Sequence, residues 1–297
     1  MVRPVRLAPP LLLALALLLA AVSAWGATAA RAAADPERAG VQAVLEHAGL
    51  LADPFAAGEA PTTFGDVRVT HRLHAGAPEL RVAYGSPDAA GRPRTATVTV
   101  QRWLTGSLEI RTADAHGRDH VVSKTVRDSC ARQVTLRRSP SPDDPAASRW
   151  RVASVSAFVR LTPAGHAMLP LVDLNTRAVS GGFLSVLSDL DELAVLPQTC
   201  AVSLPGDSVR VFIGGIDPDA VVCVFTGHQR VAATRRDGSH LEATVALEAG
   251  SGLREIGVTV FPRRTLADAT APADTRSWML PILVGSPPPV SQEYFAL

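Results

Sequence analysis

A chain of 297 residues, 47% of them hydrophobic and 19% charged, has room for two domains of ordinary size and the composition of a folded protein. Its formal net charge is only +1 and no large basic block interrupts it, which argues against a nucleic-acid binder. Lys124 is the sole lysine, a bias expected of a GC-rich genome rather than of selection for arginine chemistry.

The N-terminus carries a targeting pattern. Arg3 and Arg6 precede an uncharged apolar core from Leu11 to Val22, and small residues follow it. That is the order of a secretory signal, here assigned to residues 1–32, with Ala24 and Ala32 both fitting as cleavage points. The run from Leu7 to Ala30 is also long enough to span a bilayer uncleaved, but the short apolar core favours cleavage. With no cysteine at the end of that core, a lipoprotein anchor is not expected, and the mature chain should be secreted or periplasmic. A membrane partner is expected only if the segment survives.

Next, the spacing of Val41, Leu45 and Ala48 predicts a helix, with Asp35 as cap and Pro36 in its first turn; Pro54 marks its end. From about Gly65 to Leu161 the chain reads as strands. "DVRVTHRL", "ELRVAY", "RTATVTVQRWL", "SLEIRTA" and "WRVASVSAFVRL" alternate β-branched or aromatic residues with polar ones. A proline-rich loop, Ser139 to Ser148, precedes the last of them. One helix and several antiparallel strands make residues 33–175 an α+β domain, with the helix laid on a curved sheet. This element order resembles the cystatin-like and NTF2-like folds. A concave sheet under a helix could hold a small apolar ligand, and Val82, Tyr84, Val98, Val100 and Trp103 are the candidate pocket residues.

Beyond it, "SVRVFI", "HLEATVALEA", "EIGVTVF" and "SWMLPILV" alternate at short, regular spacing, and Asp237-Gly238 predicts a tight type I′ hairpin. With "LPGDSVRV" and "GLREIGVTVF", these strands make residues 176–285 resemble the immunoglobulin-like modules of bacterial exported proteins, implying an all-β sandwich. Residues 286–297 read as a flexible tail. Cys200 and Cys223 fall in this second part and are the preferred disulfide pair; Cys130 is left over. Three buried thiols are the alternative.

Candidate chemistry is thin. Gly206-Asp207-Ser208 is similar to the nucleophile block of GDSL-type hydrolases, which would make Ser208 a nucleophile with His228 or His240 as base. That family needs a helix after the serine and a C-terminal Asp-x-x-His; here a strand follows and the histidine motif is missing. Pro205 and Gly206 read as a turn before that strand. His71 and His74, three apart on a strand, should face opposite ways. His116 and His120 fall at a hairpin turn. Asp189, Asp191 and Glu192, and Asp217 and Asp219, lack the spacing of a calcium loop and read as solvated turns. Trp103, Trp150 and Trp278 read as core or edge packing, and Arg137-Arg138 and Arg235-Arg236 as exposed pairs.

No residue pattern points to a catalytic centre, a cofactor or a metal site. The expectation is therefore an exported, non-enzymatic binding or structural protein of the bacterial cell envelope. Its partner would be an envelope protein or a small apolar ligand, with no nucleic acid involved. A secreted, esterase-like hydrolase with its site between the domains is the alternative.

Overall fold

The computed structural model describes residues 36–53, 60–113, 116, 118–139, 150–161, 171–175, 184–186, 194–195, 200–227, 229–238 and 240–285. The signal segment, the tail, His228 and the cluster Asp189, Asp191 and Glu192 lie outside them.

Among the described residues the chain is mostly antiparallel β-structure with two helices. Helix α1, Pro36–His47, forms where predicted. It buries Val41 and Leu45 on the side facing the sheet, and Gly49, at φ 72°, lies in the turn that follows it. Strands β1 (Thr62–Phe64), β2 (Val67–Ala75) and β3 (Glu79–Tyr84) come next. They are followed by two long strands, β4 (Thr95–Ala113) and β5 (Asp119–Arg138), paired along their whole length.

β4 fuses two of the expected strands across Gly106, whose place no other residue could take. Its φ is +149°, and a Cβ there would lie 1.9 Å from the carbonyl oxygen of Arg72. β5 is a strand the sequence pattern does not announce. Its inward positions mix Lys124, Asp128 and Arg132 with Val126, Cys130, Val134 and Leu136, so the polar–apolar alternation is broken.

The remaining strands are β6 (Trp150–Val155), β7 (Phe158–Leu161), β8 (Leu171–Asn175), β9 (Leu184–Val186), β10 (Ala194–Val195), β11 (Ala201–Ser203) and β12 (Ser208–Gly214). After these come β13 (Val221–Phe225), β14 (Arg230–Ala232), β15 (Thr234–Arg235), β16 (His240–Ala246), β17 (Gly252–Phe261) and β18 (Arg276–Val284). Helix α2, Arg263–Ala267, lies between the last two.

Among the described residues thirteen strands share one sheet, whose main path runs β1-β2-β4-β5-β7-β18-β17-β13-β14. The halves on either side of residue 175 are thus joined by backbone hydrogen bonds, β7 pairing with both β5 and β18. The sheet rolls until its edges meet: Thr62 Oγ1 of β1 lies 3.3 Å from Cys223 Sγ of β13, and Phe64 packs on Phe261 with ring centroids 5.6 Å apart. α1 and the inward residues of the roll form one core, which includes Leu104, Leu108, Trp150, Phe158 and Phe225. The aromatic ring of Phe225 occupies the space beside Gly257, where a Cβ would sit 2.1 Å from it.

A second sheet, in the order β15-β16-β12-β8-β9, packs on the outer face of the C-terminal strands. Val209, Val211, Ile213, Leu241 and Val245 there meet Val222, Val258, Trp278 and Leu280. β8, expected in the first domain, is hydrogen-bonded into this sheet beside β12.

"LPGD" is a turn, as predicted: the N–H of Asp207 donates to the carbonyl of Leu204 and Gly206 has φ +77°, after which Ser208 opens β12. The hairpin at Asp237-Gly238 forms, but not as type I′. Neither residue has a positive φ; instead Asp237 Oδ1 accepts the N–H of His240, and the N–H of Arg236 donates to the carbonyl of His240.

Candidate functional site

The rolled sheet encloses an unusual set of charges. Along the inward side of β5, Asp128 pairs with Arg160 of β7, and Arg160 Nη1 also donates to Thr275 Oγ1. Burial draws the Arg160 pKa down, while the Asp128 carboxylate opposes that shift. Arg132 pairs with Glu255 and stacks 4.7 Å from the centroid of the Phe158 ring. Arg102 donates to the carbonyls of Gly76 and Leu51, tying the end of α1 to the sheet. His71 is buried, stacked 5.1 Å from the Phe261 centroid, and its Nε2 has no hydrogen-bond partner among the described residues. Burial, then the charges of Arg160 and Arg230, hold its pKa well below the usual 6.5. His74, by contrast, is exposed, so the two histidines do face opposite ways.

Lys124 reaches out of this interior at one end of the roll. Its Nζ donates to the carbonyl of Asp268 at 2.6 Å and to that of Ala271 at 2.8 Å. A primary ammonium presents three tetrahedral donors, which suits two backbone oxygens on adjacent turns better than a planar guanidinium. Burial lowers its pKa, against the pull of Asp268. Together with the bond from Thr265 Oγ1 to the carbonyl of Asp274, these contacts seat α2 and the following turn across the end of the roll.

Two clefts flank that closure. The first, about 390 Å³, lies at the mouth of the roll between α2 and the strand ends. Phe64, Val67, Ile110, Val122, Val221 and Leu266 make its walls, and Thr112, His120, Asp219 and Arg263 its polar rim. The second, about 400 Å³, lies on the other side of β13 and β17. Ile216, Val260 and Pro262 line it together with Asp217, Arg276 and Trp278. Asp219 and Arg263, 3.8 Å apart, border both clefts. Apolar walls with a few charged groups at the rim suit a small, largely apolar ligand, and the mouth of a barrel is a common place for one. Asp217 Oδ1 accepts the N–H of Asp219 in a tight turn.

The expected pocket under α1 is not one site. Val98 and Val100 are 0% exposed, and Val82 is half-buried beside Val98, so this part of the sheet is filled core. Tyr84 shares that face but lies at its edge, 38% exposed, with its ring against Trp150. Trp103 points the other way and is 58% exposed, which corrects its assignment to packing. The reason is parity: on β4 the even-numbered residues face inward.

Trp150 and Trp278 are buried as expected; Trp150 Nε1 donates to Glu37 Oε2 at 3.1 Å. Arg138 is also drawn in, pairing with Glu37 over the Trp150 ring, whereas Arg137 is exposed.

All three cysteines are free and buried, so the expected Cys200–Cys223 bond is absent. Between them stand β18 and β17, three strand spacings or about 14 Å, roughly twice the reach of a disulfide. Burial pushes the Cys130 thiol up to about 12 and the Cys200 thiol up to about 11.

Ser208 and His240 belong to the same strand pair but to its opposite ends: Ser208 faces Ala246, and His240 faces Gly214. Six residues of strand, about 20 Å, separate them. His240 Nδ1 lies 2.9 Å from Asp237, while Ser208 is exposed with no base across from it.

No signal in the sequence gathers Phe64, Ile110, Val122 and Leu266, which come from four separate elements. No protein-family model matches the chain, and no curated protein is significantly similar to it in sequence.

Proposed function

We propose that the chain is an exported, non-enzymatic binding protein of the bacterial cell envelope that holds a small apolar ligand at the mouth of its rolled sheet. The N-terminal charge and apolar pattern supports export to the periplasm or beyond. The apolar cleft of about 390 Å³ carries the binding reading. In this view the first part is a helix-on-sheet α+β unit. The last part is an immunoglobulin-like sandwich that shares the sheet and braces the closure made by α2. The distance between Ser208 and His240 speaks against an esterase built on that pair.

Titration with the neutral fluorophore N-phenylnaphthylamine tests this. The wild type should bind it, and Leu266→Trp, which fills the cleft from its half-exposed lid, should weaken binding by at least about tenfold, or ~1.4 kcal/mol. Unchanged binding in both Leu266→Trp and Val122→Trp would overturn the assignment. Hydrolysis of p-nitrophenyl butyrate that is lost in Ser208→Ala would restore the hydrolase.

A further inference from the structure

We propose that the convex outer face of β4 and its neighbours binds an extended acidic polysaccharide, with Trp103 as the stacking platform. The proposal stands on the outer face alone and is independent of the apolar cleft.

Among the described residues Trp103 is the most exposed of the large hydrophobic side chains, at 58%. Trp side chains are highly buried on average, whereas this one stands open at the centre of a paired strand. Register places arginines on both sides of it along the same face. Arg81 lies across from Thr99, Arg127 across from Thr105, Arg72 across from Ser107, and Arg68 across from Arg111. From Thr99 to Arg111 this ladder extends about 40 Å.

Between Thr99 and Arg111 five arginines thus share the ladder with two carboxylates, Glu79 and Glu109, an excess of three on a chain whose net charge is +1, and Asp119, one step beyond that stretch, also acts on Arg111. Glu109 takes up Arg111 at 2.7 Å and Arg72 at 4.0 Å. Arg68, Arg81 and Arg127 are exposed and have no carboxylate partner among the described residues. Between them lie Thr99, Gln101, Thr105, Ser107 and Thr125, which offer hydroxyl and amide groups.

The occupant follows from this chemistry. An anionic chain matches the charge excess, and guanidinium groups bind carboxylates in pairs of parallel hydrogen bonds. A sugar ring can stack on the indole while its hydroxyls meet the threonine, serine and glutamine side chains. Single-stranded nucleic acid would call for several aromatic platforms in succession, and this ladder has one. A membrane surface is flat, whereas this face is the outside of a roll and offers a ridge.

Binding of polygalacturonate, with neutral dextran as control, tests the proposal on the full chain. Polygalacturonate should bind, dextran should not, and affinity should fall as salt is raised. Trp103→Ala should weaken binding by about tenfold, as loss of one aromatic stacking contact does elsewhere. Arg81→Ser combined with Arg127→Ser should weaken it by a similar factor and flatten the salt dependence. These side chains are exposed, so the variants should unfold at the wild-type temperature. Leu266→Trp should leave polygalacturonate binding intact, which separates failure here from failure of the cleft. The proposal is overturned if Trp103→Ala binds as the wild type does, or if oligothymidylate or phosphatidylglycerol vesicles bind more tightly than polygalacturonate.

Discussion

Replacing Asp128 by Asn should remove one of the main specifying contacts inside the rolled sheet. The Arg160 side chain is fully buried and that of Asp128 nearly so. Asp128→Asn keeps the shape but leaves the guanidinium, among the described residues, with Thr275 Oγ1 as its remaining hydrogen-bond partner outside the substituted site. A buried charge stripped of its counter-ion costs about 3–5 kcal/mol, so the urea midpoint should fall sharply, with a melting temperature lower by roughly 10 °C. Intrinsic tryptophan fluorescence reports the transition, because Trp150 and Trp278 are buried and become exposed on unfolding. The double variant Asp128→Leu/Arg160→Met removes both charges and should recover most of the loss, since an apolar pair of similar volume carries no desolvation cost. A loss below about 1 kcal/mol in Asp128→Asn would refute this reasoning. So would a double variant no more stable than the single one.

Two further outcomes follow from the interior. His71 has a folded-state pKa below its ordinary 6.5, so above that pH neither folded nor unfolded chain is protonated there and stability is at its full value. As pH falls below about 6.5 the unfolded chain takes up the proton and the folded chain does not, and the urea midpoint should drop between pH 7.5 and 5.5. His71→Phe should flatten that decline, and a wild-type midpoint constant over this range would count against it. All three thiols are buried, and those of Cys130, Cys200 and Cys223 are raised by burial. The native chain should therefore resist iodoacetamide at pH 8, take up three labels in denaturant without reductant, and show no disulfide by mass; prompt labelling of the native chain would refute the packing.

How much of this was legible depended on whether a residue's surroundings are local. Helix α1, the strands with one polar and one apolar face, and the turn at Leu204–Asp207 are set by neighbours within a few positions, and the sequence predicts them. β5 escapes because its inward residues are charged. Lys124, Asp128 and Arg132 find their partners 144, 32 and 123 positions away, and without those partners the run reads as solvated. Likewise alternation places Trp103 on one face of β4, but which face meets the core depends on where α1 and the far strands pack.

By itself, then, the sequence determined a β-rich chain with one early helix, the turn at Leu204–Asp207, and the pattern of an export signal. Tertiary structure alone decided that β7 and β18 join the two halves in one sheet, that Cys200 and Cys223 stand apart, and that four elements meet around an apolar cleft. Strand periodicity repeats every two residues and carries no record of a strand's partner. Pairing is chosen by long-range burial and by charges that must be matched once water is gone.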